Sequence, residues 1–484
     1  MSGKRRDLEV RTQKLLAGGR CALASGGANS SAAIAAPRSP VSVNPRSRTE
    51  TTRIVIVGGG AGGLELATRL GARLGRKHHD IVLVDRNHTH IWKPLLHEVA
   101  TGSLDASLDE VDYRGHGRRW GYRFILGEME GVDRRARELV LAPICDDEGR
   151  EIAGRQRIAY DYLVLAIGSQ ANDFGTPGVR ERCMLLDSRA DADQFRNRLL
   201  KHCLRVSRAL SATASREAFV KIAIVGGGAT GVELAAELYN AAAALRHYGL
   251  EVFDETRLKV TLIEAAGRIL PALREKLSIA ARIELERLGV RVLTSTRIVA
   301  AGPGGFETAG GEQIEADIML WVAGVKAPPI LKEIDGLEAN HNGQLVVRPT
   351  LQTTRDERIF AMGDCCACLL PGAERPTPPR AQAAHQMAAA VAKNLERAMR
   401  GKPLHDFVYQ DRGSLVSLSR YSTVGNLMGN LVGGQLAVEG TIARVLYKSL
   451  YVLHLLAIHG RLKGLALVAL GVVNRVVRPR LKLH

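Results

Sequence analysis

Aromatic side chains make up only 4% of the 484 residues, too few for a platform that stacks bases along a single strand. Acid is missing from residues 441–484, which hold eight basic side chains, while residues 1–50 hold nine basic and three acidic ones. Of the net charge of +17, the 390 residues between these two ends carry only +3. The body is near neutral and the ends are basic. No run reaches the ~18 apolar residues that cross a bilayer. The longest uncharged stretches near the C-terminus, Ser449–Gly460 and Gly464–Asn474, have twelve and eleven residues, so the chain is expected not to span. The seven cysteines (Cys21, Cys145, Cys183, Cys203, Cys365, Cys366 and Cys368) are odd in number and scattered, which is no secreted disulfide framework. Cys365 and Cys368 form a C-x-x-C without two further ligands at similar spacing, so no metal site is expected. The first fifty residues lack the apolar core of a secretory signal. Being rich in Ser, Ala, Gly and Arg, they read as a disordered basic tail, with a transit peptide as the alternative.

What is present is a packed body, 46% hydrophobic and 24% charged, long enough for about three domains. A repeat organises it. Residues 53–70 (RIVIVGGGAGGLELATRL) and 221–238 (KIAIVGGGATGVELAAEL) are identical at twelve of eighteen positions. Each opens with a β-branched run that reads as a buried parallel strand, passes through glycines, and enters an apolar-periodic helix. Gly58, Gly60 and Gly63, and again Gly226, Gly228 and Gly231, give G-x-G-x-x-G twice. In that motif the first glycine permits the tight turn and the second lets backbone approach a pyrophosphate. The third allows close helix–strand packing, and the helix N-terminus supplies amides for the anion.

An acid closes the next strand in each copy: Asp85, 22 residues after Gly63, and Glu264, 33 residues after Gly231. The longer interval reads as a loop inserted at 247–257. A carboxylate in this position accepts the ribose hydroxyls and repels a 2′-phosphate, so Glu264 favours NADH over NADPH. The plainer alternative is two structural βαβ turns without ligands. Two dinucleotide folds in one chain point instead to two dinucleotides, most economically FAD in the first and NADH in the second.

With these residues the chain resembles the two-dinucleotide-binding flavoprotein reductases of glutathione-reductase-like, α/β fold. Leu163–Ser169 (LVLAIGS) and Leu320–Gly324 (LWVAG) look like the strands that cross between the two domains, and Ile359–Asp364 (IFAMGD) like the second FAD motif. Within that superfamily the chain is most similar to the type II, non-pumping, single-chain NADH:quinone oxidoreductases. Trp92–Gly102 (WKPLLHEVATG) lies where the disulfide reductases place a redox cysteine pair and has none. Ala381–Gln386 (AQAAHQ) resembles the family's A-Q-x-A-x-Q quinone motif. The resemblance implies FAD contacts at Gly58, Gly60, Gly63, Asp85, Lys93, Asp364, Ala381 and Gln382, and NADH contacts at Gly226, Gly228, Gly231, Glu264 and Gly324. It makes Glu233, Gln382 and Gln386 the catalytic candidates. Each has a bland reading: Gln382 and Gln386 as a solvated helix face, and Glu233, matched by Glu65 in the first repeat, as a helix-start acid.

The implied division is a tail over 1–52, an FAD-binding domain over 53–180 and 319–410, an NADH-binding domain over 181–318, and a membrane-anchoring region over 411–484. On a helical wheel from Thr441, Arg444, Lys448 and His459 share one face, and Ile442, Leu446, Leu450, Leu453 and Ala457 the other. With the basic, apolar segment after Gly460, this is the pattern of helices lying in a membrane interface and attracted by anionic lipid. The expectation is a peripheral enzyme on the cytoplasmic face of the inner (plasma) membrane, forming a homodimer, with a membrane quinone as partner and no nucleic acid. The alternatives are a soluble NADH-dependent reductase of a protein electron carrier, which leaves the C-terminal segment unexplained, and a basic nucleic-acid-binding flavoprotein. Sulfide:quinone reductases share the fold but need cysteines at the flavin.

Overall fold

The computed structural model describes residues 51–477 except 107–109, 213–217, 246–254, 335, 419–421, 430–433 and 440–450. The basic tail, the insertion expected at 247–257 except for its last residues, and the start of the C-terminal helical wheel therefore lie outside the described residues.

The repeat in sequence is a repeat in architecture. Arg53–Val57, fully buried from Ile54 on, is the middle of a five-stranded parallel sheet in the order 359–361, 162–165, 53–57, 80–85, 123–126. Val220–Val225 is likewise internal to a four-stranded parallel sheet in the order 291–293, 258–263, 220–225, 318–321. Strands flanked on both sides and covered on both faces need continuous β-branched runs, which RIVIV and KIAIV provide. Each unit then carries a three-stranded antiparallel sheet, Met129–Asp133 with Glu138–Leu141 and Gln156–Ala159 in the first, Ile298–Gly302 with Gly305–Thr308 and Gln313–Glu315 in the second. From it the chain returns to the parallel sheet, at Tyr162–Leu165 and at Ile318–Trp321. These returning strands each complete their own sheet. The connection between the units comes just after them, as a short antiparallel pair of Gln170–Ala171 with Val325–Lys326. Ile318–Trp321 straddles the 318/319 division drawn from sequence, because its pairing to Ile222–Val225 belongs to the second sheet.

Helix Ala381–Ala398 packs on the first repeat's helix, Ala61–Leu70, closely enough that a side chain at Gly62 would meet Met362 and Ala384. Its polar stripe is not a solvated face. Gln382, Gln386, Asn394 and Arg397 each hydrogen-bond the extended stretch 403–413, stapling it along the helix. That stretch leads into an antiparallel sheet of Gly413–Leu418, Ser422–Gly429 and Gly434–Glu439.

Two C-terminal helices end the described chain, 451–459 and Arg461–Val477, broken at Gly460 with φ +81°. No helix among the described residues is long and apolar enough to cross a membrane. The second leaves Leu462 89%, Leu465 56% and Leu470 54% exposed, the form of a membrane-binding segment. In the first, Leu453 is exposed as the wheel predicts, but His459 is not on a free cationic face. It turns toward the body with His454, Leu455 and Ile458, because the helix docks on the first unit through that side.

Candidate functional site: two dinucleotide cradles

The glycines of the two repeats occupy three distinct environments, and the two copies match. Gly58 and Gly226 have φ of +101° and +118°, and a side chain on either would strike the backbone where the returning strand ends, at Ala166 and at Val322–Ala323. That conformation and that approach both require glycine. Gly63 and Gly231 abut the carbonyl oxygens of Gly58 and Gly226, so a Cβ there would drive helix and strand apart. Gly60 and Gly228 face open space: nothing lies within 4 Å of a Cβ built on either. The middle glycine is therefore not demanded by the protein's own packing. An open cradle of backbone at a helix N-terminus fits a pyrophosphate, whose close approach a side chain would block.

The two acids end their strands with the same hydrogen bonds. Asp85 Oδ2 accepts from the Gly59 amide at 2.6 Å, and Glu264 Oε2 from the Gly227 amide at 2.7 Å. Each thus hangs at the lip of its cradle. In the first unit further groups converge. Asp364, on a tight turn after Ile359–Ala361, accepts from the Ser169 hydroxyl at 2.8 Å. Burial pushes its carboxyl up, against the pull of Ser169 and of the nearby Lys93 cation. Lys93 Nζ lies 3.5 Å from the Ser169 carbonyl and also offsets the burial of Asp187. Lys93 and Asp364 are thus brought together with Ser169 and Asp187, two residues the motifs do not single out, while Asp85 sits apart from them at the Gly59 amide. Ser169 closes a segment that motif inspection marks; nothing local distinguishes Asp187.

Gly324, with φ +64°, sits just past the second returning strand, packed under the ring of Phe174. Ala381 opens the helix behind Arg380. Gln382 bonds Asp411 at 3.1 Å and the Gly413 carbonyl at 3.0 Å, and Gln386 exchanges two 2.9 Å hydrogen bonds with the Gln410 backbone. Both glutamines are therefore committed to the chain's own 410–413 stretch.

The helix-start acids have partners from outside their repeats. Glu65 is 0% exposed; one oxygen takes Arg69 at 2.7 Å and the other is bonded by His385 Nδ1. Glu233, 6% exposed, lies 3.5 Å from His97 Nδ1 on the helix Leu96–Thr101. One turn on, Glu237 accepts from Ser103 and from Asn240 at 2.7 Å. Buried carboxylates persist where donors reach them; Arg69 and Asn240 are local, whereas His385, His97 and Ser103 come from segments more than a hundred residues away.

No group of histidines, cysteines and carboxylates able to hold a metal occurs among the described residues. Cys365, Cys366 and Cys368 are buried, and burial pushes the Cys365 and Cys368 thiols up to about 11. Such thiols are inert packing groups rather than redox nucleophiles.

Residues 52–388 match the pyridine nucleotide-disulphide oxidoreductase family. A type II NADH:quinone oxidoreductase of Haemophilus influenzae is 48% identical over 442 residues, 89% of this chain and 99% of the relative. A protein of the same name from Staphylococcus aureus is 29% identical over 394 residues, 80% of this chain and 92% of its own. In fold, the chain is similar to NDH2 from Plasmodium falciparum in complex with NADH, with a TM-score of 0.74 at 17% identity over 90% of this chain and 100% of that one.

Proposed function

The chain belongs to the pyridine nucleotide-disulphide oxidoreductases and, within them, to the type II NADH:quinone oxidoreductases, and from that premise we propose that it is a peripheral membrane flavoenzyme that passes electrons from NADH through FAD to a membrane quinone without pumping protons. The observation that carries this reading is the pair of open cradles, each lipped by a carboxylate, in a chain that needs both an NADH site and a flavin site. We assign FAD to the first: Gly58, Gly60 and Gly63 would face its pyrophosphate, Asp85 its ribose, and Asp364 with Lys93 and Ser169 the remainder. NADH is assigned to Gly226, Gly228, Gly231, Glu264 and Gly324, with the Glu264 carboxylate disfavouring a 2′-phosphate. The bound flavin supplies the hydride acceptor and the two-electron relay.

The protein's own work is placement. Glu233 is fixed by burial against His97, at the start of the helix that forms the second cradle. Gln382 and Gln386 act through the 410–413 stretch that they hold against the start of their helix. Helices 451–459 and Arg461–Val477 support the membrane reading, with exposed leucines flanked by Arg461, Lys463 and Arg475. Attachment to anionic lipid through 441–484, on the cytoplasmic face of the inner membrane and as a homodimer, completes the proposal. No spanning helix offers a proton route among the described residues. The test has two parts. Flavin released from purified protein is identified as FAD or FMN. NADH oxidation is then measured with a long-chain quinone in liposomes and with a short-chain soluble one, for the full chain and for a truncation after Gly440. Loss of only the liposome activity on truncation is the expected result. Flavin that NADH bleaches but no quinone reoxidises would overturn the quinone assignment.

A further inference from the structure

Helix 451–459 is fastened to the first unit by imidazoles. His454 is buried with its Nε2 3.0 Å from His90 Nε2, and Trp92 stacks on its ring at 4.1 Å. His90 Nδ1 lies 2.9 Å from the Gly59 carbonyl, on the loop of the first cradle. One turn on, the Ile458 carbonyl is 2.8 Å from His116 Nε2, and the His116 and His459 rings meet edge to face at 5.6 Å. His116 Nδ1 in turn contacts the Tyr122 hydroxyl at 2.9 Å.

The carbonyls fix the tautomers, since they only accept. His90 donates to Gly59 from Nδ1, so its Nε2 is bare when the ring is neutral and accepts from His454. His116 donates to Ile458 from Nε2 and accepts the Tyr122 hydroxyl at Nδ1. The circuit is complete with neutral rings. A proton added to His90 puts a second N–H against His454, which must then give up its own Nε2–H to accept it.

The surroundings offer such protons little help. Against His454 stand His90, His385, His459 and His116; against His116 and His459 stand Lys463 from the following helix and Arg119 from Tyr113–Trp120. Among the described residues the carboxylate acting on the cluster is Asp112, beside His116, and it already caps its own helix through the Gly115 amide at 2.6 Å. Glu65, which bonds His385, also serves Arg69.

We propose that this four-histidine joint is a proton-operated latch, which on mild acidification releases helix 451–459, and the exposed leucines after it, from the first unit. The sign follows from the docked rings being neutral. Burial holds His90, His116 and His459 down to about 4, from 6.5 when undocked. Docking is therefore unaffected above pH 6.5 and weakens as pH falls from there toward 4. One such ring lowers the docking constant about 30-fold at pH 5, and the joint has several. The proposal does not rest on the quinone or lipid assignments.

Two of the three tryptophans report on the joint. Trp92 stacks on His454, and Trp120 lies beside Gly460 and His116, whereas Trp321 is buried in the second unit. Tryptophan emission of the flavin-loaded full chain, titrated from pH 7.5 to 4.5 with flavin absorbance followed in parallel, is expected to shift red in a transition steeper than one proton while flavin stays bound. His454→Leu and His459→Gln each make the transition shallower and move its midpoint down. If H454L does not hold flavin at pH 7.5, H459Q carries the test, since the buried Nδ1 of His459 has no hydrogen-bond partner to lose. Emission that stays constant over the range overturns the latch. So does a transition that coincides with flavin loss, or one that the folded variants leave unchanged.

Discussion

The two repeats of this chain hold cradles whose glycines meet the same surroundings, yet bury their helix-start glutamates against different strangers. Glu65 meets His385, from the helix stapled to 403–413, whereas Glu233 meets His97, from the short helix after Lys93–Leu95. What repeats is what twelve or so contiguous residues can encode: strand, turn, helix start, and the clash-bound glycines. What differs is supplied by the rest of the fold. The two cradles share the open backbone form that fits a pyrophosphate, and their surroundings differ.

The sharpest way to break this comparison is to damage one cradle at a time. Gly63→Ala and Gly231→Ala both push a methyl into the carbonyl of the first motif glycine. Purified G63A is expected to lack flavin. G231A is expected to keep its flavin absorbance while its KM for NADH rises at least ~100-fold, the scale of a lost pyrophosphate site. Flavin loss from both would mean that the cradles are not separately assigned. A smaller effect separates the two acids. Glu264→Ser should lower the preference for NADH over NADPH by about 10- to 100-fold in kcat/KM, by removing the charge that repels a 2′-phosphate. Asp85→Ser should leave that ratio alone and weaken flavin retention instead.

How much of this was legible in the sequence follows the same division. The strands, both motifs and the two acids could be read directly, because each motif's job is local and steric. The partnership of Glu65 with His385 could not be, since 320 residues separate them and no periodicity marks the pair. Gln382 and Gln386 were located correctly on a helix, but their bonds to 410–413 depend on a segment with no regular structure of its own. A wheel puts His459 on a cationic face because it treats the helix as isolated; docking on His116 turns it inward.

Next in size is the link between the units. Asp173 bonds Lys326 at 2.7 Å and also holds Arg180, tying together the two crossing stretches. The Arg180 guanidinium, with Lys326 behind it, holds the Asp173 carboxyl well below the usual carboxylate range. Its contribution is therefore complete above about pH 4, the ordinary aspartate value, and is lost as pH falls further. Asp173→Asn should lower unfolding free energy by about 1–2 kcal/mol at pH 7, read as a denaturant midpoint, and the difference from the parent chain should shrink in stronger acid.

The smallest effect lies at His97, and it separates a charge partner from a spacer. Burial drives the His97 ring down to about 4, although the Pro94 carbonyl pulls the other way, so Glu233 faces a neutral imidazole throughout the range from pH 6 to 8. A neutral ring 3.5 Å away positions the carboxylate without neutralising it. His97→Gln keeps a donor of similar reach and no charge, so flavin reduction by NADH, followed by stopped flow, should change less than about 3-fold and keep its pH profile between 6 and 8, in line with one weak neutral hydrogen bond. A profile that gains or loses a step in that range would mean that His97 is charged beside Glu233. The second repeat would then hold an ion pair at the helix start, and the two glutamates would differ in the charge of their partners rather than in placement.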